Sequence, residues 1–94
     1  MFYLDAHWED YWPLRDEIIE IGKTHYDNCV IVIDDCKVPG RHDIPFDQYK
    51  GKECSFEYIQ DLLRFVFSGY EIDYLIPANV QNRAKLVIMP KGRR

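Results

Sequence analysis

Cys29-Val30-Ile31-Val32-Ile33-Asp34-Asp35 is the stretch that decides the fold. Four β-branched residues follow a cysteine with no polar position between them. A run this short and this uniformly apolar reads as a strand covered on both faces, hence a central one. It ends in two acids. Ligand sites in open α/β sheets gather at the carboxyl ends of strands, so Asp34 and Asp35 are expected on a functional rim. A second run, Phe2-Tyr3-Leu4, ends the same way in Asp5. If the two runs are parallel neighbours, Asp5, Asp34 and Asp35 converge. Carboxylates held together repel one another and need Mg²⁺, Ca²⁺ or a cationic partner to stay ionised.

The segment between the runs supports that pairing. Pro13 suits the first turn of a helix, and Leu14, Ile18 and Ile21 lie on one face of it, with Gly22 near its expected end. Strand, helix and strand within about 35 residues match one βαβ unit with a right-handed crossover. Residues 37–52 contain Pro39, Gly40, Pro45 and Gly51 without a sustained period, which predicts a long loop over the acidic rim. Ser55 then caps a second helix whose Phe56, Ile59, Leu62, Leu63 and Val66 should bury, and Gly69 ends it. Tyr70, Ile72, Tyr74 and Ile76 alternate with Glu71, Asp73 and Leu75 in a strand. Residues 84–89 make another, and the turn over residues 77–83 joins the two as an antiparallel hairpin.

A chain of 94 residues is one domain with one core. Its net charge of −4 lacks the basic face that nucleic-acid or anionic-membrane binding draws on. The basic tail Lys91-Gly92-Arg93-Arg94 reads as a solvated end. Three cysteines without C-x-x-C spacing indicate neither a disulfide framework nor a zinc knuckle. Reduced thiols in a cytoplasmic setting fit best, with Cys29 in the core and Cys36 a poor nucleophile beside the acidic pair. No apolar run approaches a membrane span, and the first residues do not form a signal peptide. His25, His42 and Arg41 read as surface residues, and Trp8, Tyr11 and Trp12 as packing at a helix entry.

With these elements in order, the strand ends Leu4-Asp5-Ala6-His7 and Ile33-Asp34-Asp35 and the closing hairpin resemble the C-terminal half of class I S-adenosylmethionine-dependent methyltransferases. The likeness is nearest to the macrocin-type and FkbM-like O-methyltransferases of sugars and natural products. The resemblance implies an α/β fold: a partial Rossmann-like sheet of four strands, two parallel plus a C-terminal antiparallel hairpin, with two main helices. The family's spatial order of its last four strands is four, five, seven, six, with strand seven antiparallel. Here that order assigns residues 2–5, 29–34, 84–89 and 70–76 in turn. The resemblance further implies Mg²⁺ held by Asp5, Asp34 and Asp35. Chelation would lower a substrate hydroxyl's pKa, and His7, where metal-dependent members often carry an acid, would be the base.

The five glycines are too dispersed for the family's G-x-G cofactor turn. The chain is therefore expected to be a half-domain over residues 1–94, inactive alone. S-adenosylmethionine would be bound only in an intact parent or with a complementing N-terminal half. A bare first strand would otherwise pair with a second copy in a homodimer. The competing expectation is a non-catalytic α/β domain that self-associates through its open sheet edge. A receiver-like phosphoryl-accepting site ranks below both, since that fold's lysine and five-stranded repeat cannot be placed.

Overall fold

Ile31, Ile33, Leu86 and Ile88 are almost wholly buried and form the floor on which the helical segments pack. In the computed structural model of the chain, residues 1–4, 13–49 and 51–91 are described. Two short strands, β1 (Phe2–Leu4) and β2 (Ile31–Ile33), run parallel with Leu4 beside Ile33. Between them lies α1 (Leu14–His25), which buries Leu14, Ile18 and Ile21 as the spacing predicts. Pro13 stands at its N-cap with φ −79°, and Asp16 and Glu17 in the first turn oppose Lys23 and His25 in the last, an arrangement that complements the helix dipole.

The helix runs through Gly22 instead of stopping there. A Cβ at Gly22 would lie 2.5 Å from the Phe65 carbonyl oxygen, so this glycine marks a close helical crossing. The chain turns at Asp27, in the left-handed region at φ 59°, whose carboxylate accepts from the Ser68 amide and hydroxyl.

Ser55 caps the second helical segment by accepting from the Tyr58 amide, as expected. Only its first turn is α-helical: α2 (Phe56–Ile59) tightens into a 3₁₀ segment, Gln60–Phe65. Ile59 and Leu62, and likewise Leu63 and Val66, are three residues apart. The three-per-turn winding stacks each pair on the core side, and all four are buried.

The long segment after β2 is more ordered than a loop. It contains a two-stranded ribbon, β3 (Gln48–Tyr49) with β4 (Lys52–Glu53), turned at Gly51 with φ 81°. Beneath it Val38 and Ile44 bury against Ala84 in a small second cluster.

The closing hairpin, β5 (Tyr70–Leu75) and β6 (Lys85–Pro90), is antiparallel and joined through a 3₁₀ turn at Val80–Asn82. The sheet order is β1-β2-β6-β5, with β6 antiparallel to both neighbours and therefore the one reversed strand. The chain is thus α/β, a mixed four-stranded sheet with two helices.

Side-chain alternation divides the sheet's faces. Phe2, Leu4, Ile31, Ile33, Leu86 and Ile88 join the helical core. Tyr3, Val32, Asp34, Lys85, Val87 and Leu75 share the other face by register. There Tyr3 and Leu75 are about half exposed (51% and 52%). Val32 is buried on that face because Tyr3 and Val87 flank it across both neighbouring strands. Among the described residues no helix is long and apolar enough to cross a membrane.

Candidate functional site

The carboxyl ends of β1, β2 and β5 and the amino end of β6 meet at one rim, because β6 alone is reversed. β2 delivers Asp34 and Asp35 there. β6 begins there with Lys85, which is in register to face Asp34 across the strand pair.

Asp34 accepts hydrogen bonds from three partners at the rim. Its Oδ1 accepts from the Lys85 ammonium at 3.0 Å and from the Asp35 amide at 3.0 Å, while Oδ2 accepts from the Tyr3 hydroxyl at 2.7 Å. Partial burial pushes its carboxyl up. The Tyr3 hydroxyl, the Lys85 ammonium and the Asp35 amide together outweigh that and hold it below the ordinary carboxylate range. The same contacts raise the pKa of the two partners. For Tyr3 the cause is first the bond to Asp34 and then burial; for Lys85 it is first the bond to Asp34. Lys85 also lies over the Tyr3 ring, 5.6 Å from its centroid. The result is a hydrogen-bonded Tyr3–Asp34–Lys85 triad on the open face.

Asp35 sits in the left-handed region at φ 57°, a conformation that Asp tolerates better than most residues. The turn sends its carboxylate toward Arg83, whose Nη1 is 3.5 Å from Asp35 and 3.9 Å from Asp47. Arg83 is also left-handed, at φ 62°. Asp47 is brought in by the ribbon loop, its amide donating to the Asp35 carbonyl at 2.9 Å. Each strand-end acid of β2 therefore has a cationic side chain against it.

Beside this rim lies an open pocket of about 400 Å³, lined by Tyr74, Leu75, Ile76 and Pro77 and, on its polar side, by Asn82, Arg83 and Lys85. Burial pushes the Tyr74 hydroxyl up to about 12, as its side chain packs against both apolar clusters.

β2 carries Asp34 and Asp35 to the rim, where their carboxylates face different cations, Lys85 and Arg83. Asp5 and His7, the other two expected site residues, lie outside the described residues, as do Trp8, Tyr11 and Trp12. His25 and His42 are exposed; His25 rests edge-on to Phe2, and its Nδ1 is 2.7 Å from the Thr24 hydroxyl. Arg41 is engaged by Asp43 within its own loop.

Lys85, Arg83, Tyr3 and Asp47 were not singled out by the sequence. Lys85 had a usable signal: in Ala84-Lys85-Leu86 it is the first outward position of a strand that opens where β2 closes.

Among the described residues no three His, Cys, Asp or Glu side chains are grouped to hold a metal ion. The Asp34 and Asp35 carboxylates are turned to Lys85 and Arg83, so the described acids do not fit a Mg²⁺ site in this arrangement. The described glycines do not fit the cofactor either. Gly22 lies in the helical crossing, Gly40 and Gly51 are at loop turns, and Gly69 lies against Lys91. None follows a strand end at the rim. Comparison of the chain with protein-family models, curated proteins and solved structures finds no match.

Proposed function

We propose that this chain forms the acceptor side of an S-adenosylmethionine-dependent O-methyltransferase acting on a sugar or natural-product hydroxyl. The observation that carries the reading is the strand order β1-β2-β6-β5 with β6 alone reversed. The resemblance implies that order and that reversal, and helix-strand alternation alone does not dictate either. Acids at the carboxyl end of β2, beside an open pocket large enough for one sugar ring, add to it.

In this reading the rim's own side chains orient the acceptor. Lys85 and Arg83 offer donors to ring hydroxyls, Asp34 accepts from one, and Leu75, Ile76 and Pro77 support the apolar face of the ring. The cofactor, held by strands beyond β1 in an intact parent or complementing chain, supplies the methyl group. The resemblance assigns His7 as the base that would take the hydroxyl proton. The self-associating, non-catalytic reading is favoured by no observation of comparable specificity.

The test is methyl transfer from labelled S-adenosylmethionine to a panel of vicinal-diol sugars. The chain is assayed alone and mixed with the strand-one-to-three half of a macrocin-type enzyme. Transfer is expected only in the mixture and is lost with Asp34→Asn. A mixture that binds the cofactor but never transfers to any hydroxyl removes the reading.

A further inference from the structure

The rim hides a pair of thiols that the sequence spacing did not connect. Cys36 and Cys54 are both free and both buried, at 0% and 3% exposure. Cys36 directly follows the acidic pair, and Cys54 follows β4 of the ribbon. The two backbones are tied together there: the Lys37 amide donates to the Cys54 carbonyl at 2.7 Å, and the Cys36 amide is held by the Ala84 carbonyl at 3.1 Å. Because the Lys37 amide is peptide-bonded to Cys36, that hydrogen bond holds the Cys36 and Cys54 backbones side by side, the placement a disulfide requires. The side chains share one buried cluster, where the Cys54 thiol reaches the Asp34 carbonyl oxygen, two residues from Cys36, at 3.5 Å. Cys29, the remaining thiol, heads the opposite end of β2 and is out of reach.

We propose that Cys36 and Cys54 are a peroxide-oxidisable pair that closes into a disulfide and clamps the ribbon loop of residues 37–53 onto the acidic rim. Cys54, which directly follows the ribbon, reacts first. Its thiolate attacks one oxygen of hydrogen peroxide, the O–O bond breaks, and the departing hydroxide takes up a proton to become water. Cys54 is left as a sulfenic acid. The Cys36 sulfur then attacks the Cys54 sulfur, the S–O bond breaks, and a second water leaves. Two thiols lose two hydrogens, and one peroxide is reduced to two waters.

Both thiols are shut away from solvent in the closed arrangement, so peroxide reaches them when the ribbon lifts from the rim. Oxidation then reports on that opening and afterwards forbids it. Reduction by a dithiol reverses the clamp. The inference does not depend on the acceptor-side reading, because it concerns how the loop is fastened and not what the rim binds.

The experiment uses the full chain. After exposure to stoichiometric hydrogen peroxide, free thiols are alkylated under denaturing conditions. The protein is then digested before aspartate, which separates Cys29, Cys36 and Cys54 into different peptides. The expected result is a Cys36–Cys54 linked pair with Cys29 alkylated, and a Tm about 10 °C above that of the reduced chain. Cys29→Ser should leave both results unchanged. Alkylation of both Cys36 and Cys54 after treatment overturns the proposal. So does conversion of either to a sulfinic acid without a link, or a link that includes Cys29.

Discussion

The two faces of the sheet do different work although the same four strands supply both. On the helical face, Ile31, Ile33, Leu86 and Ile88 pack with Ile18, Ile59, Leu63 and Phe67 in one continuous cluster. On the other face, Tyr3, Asp34, Lys85 and Leu75 stand at the rim or in solvent, held by hydrogen bonds and charge. Stability resides mainly in the first, since apolar area removed from water stabilises far more than exposed ion pairs do. The second face is therefore free to vary its chemistry at low structural cost.

The sharpest way to break this contrast is to cut into the helical face. Ile18→Ala removes a wholly buried side chain and should cost about 2–5 kcal/mol in urea unfolding. A loss below about 1 kcal/mol would mean that the core is not where the packing places it. Gly22→Ala comes next. Its methyl would sit 2.5 Å from the Phe65 carbonyl, so α1 or the 3₁₀ segment must shift, at about 1–3 kcal/mol. An unchanged urea midpoint would show the crossing to be looser than that distance.

Effects on the open face should be smaller and visible chiefly in titration. Lys85→Ala should destabilise by no more than about 1 kcal/mol, as expected for a partly exposed pair. It should nevertheless raise the Asp34 pKa, read from the carboxyl carbon by NMR. The sign follows from linkage. Asp34 titrates below its unfolded value, so its contribution is fully present above the unfolded pKa, near 3.8, and is lost as pH falls through the folded pKa. In Lys85→Ala that contribution should be smaller and its loss complete at higher pH. An Asp34 titration unmoved by the substitution would show that Tyr3 and the Asp35 amide carry the effect. The smallest change is expected from Leu75→Asn, within about 0.5 kcal/mol, because Leu75 is already half exposed. A large loss there would mean that something packs on the open face.

Much of the fold was legible because it rests on periodicity. Leu14, Ile18 and Ile21 repeat as a helix must and are buried as one face. Val30 to Ile33 have no polar position, and β2 is central. Ser55 announced its helix through cap chemistry that acts over three residues. The rim was half legible. Asp34 and Asp35 stood out because acids end an apolar run, whereas their partners did not. Lys85 and Arg83 lie about fifty residues away, and nothing local marks which acid a cation will face. The tightening of the second helix into a 3₁₀ segment was equally hidden, because the choice depends on what packs against it.

By itself the sequence determined where the four strands of the main sheet and the two helical segments lie, which side of each is apolar, and that acids terminate β2, while the β3–β4 ribbon stayed hidden in an aperiodic stretch. Those are local properties, set by residue type and repeat. Only the tertiary structure decided that β6 enters between β2 and β5 and sets Lys85 against Asp34. It alone turned Asp35 toward Arg83 and laid Cys36 beside Cys54. Those pairings join residues far apart in the chain, and their geometry follows from strand order and register once the core has closed.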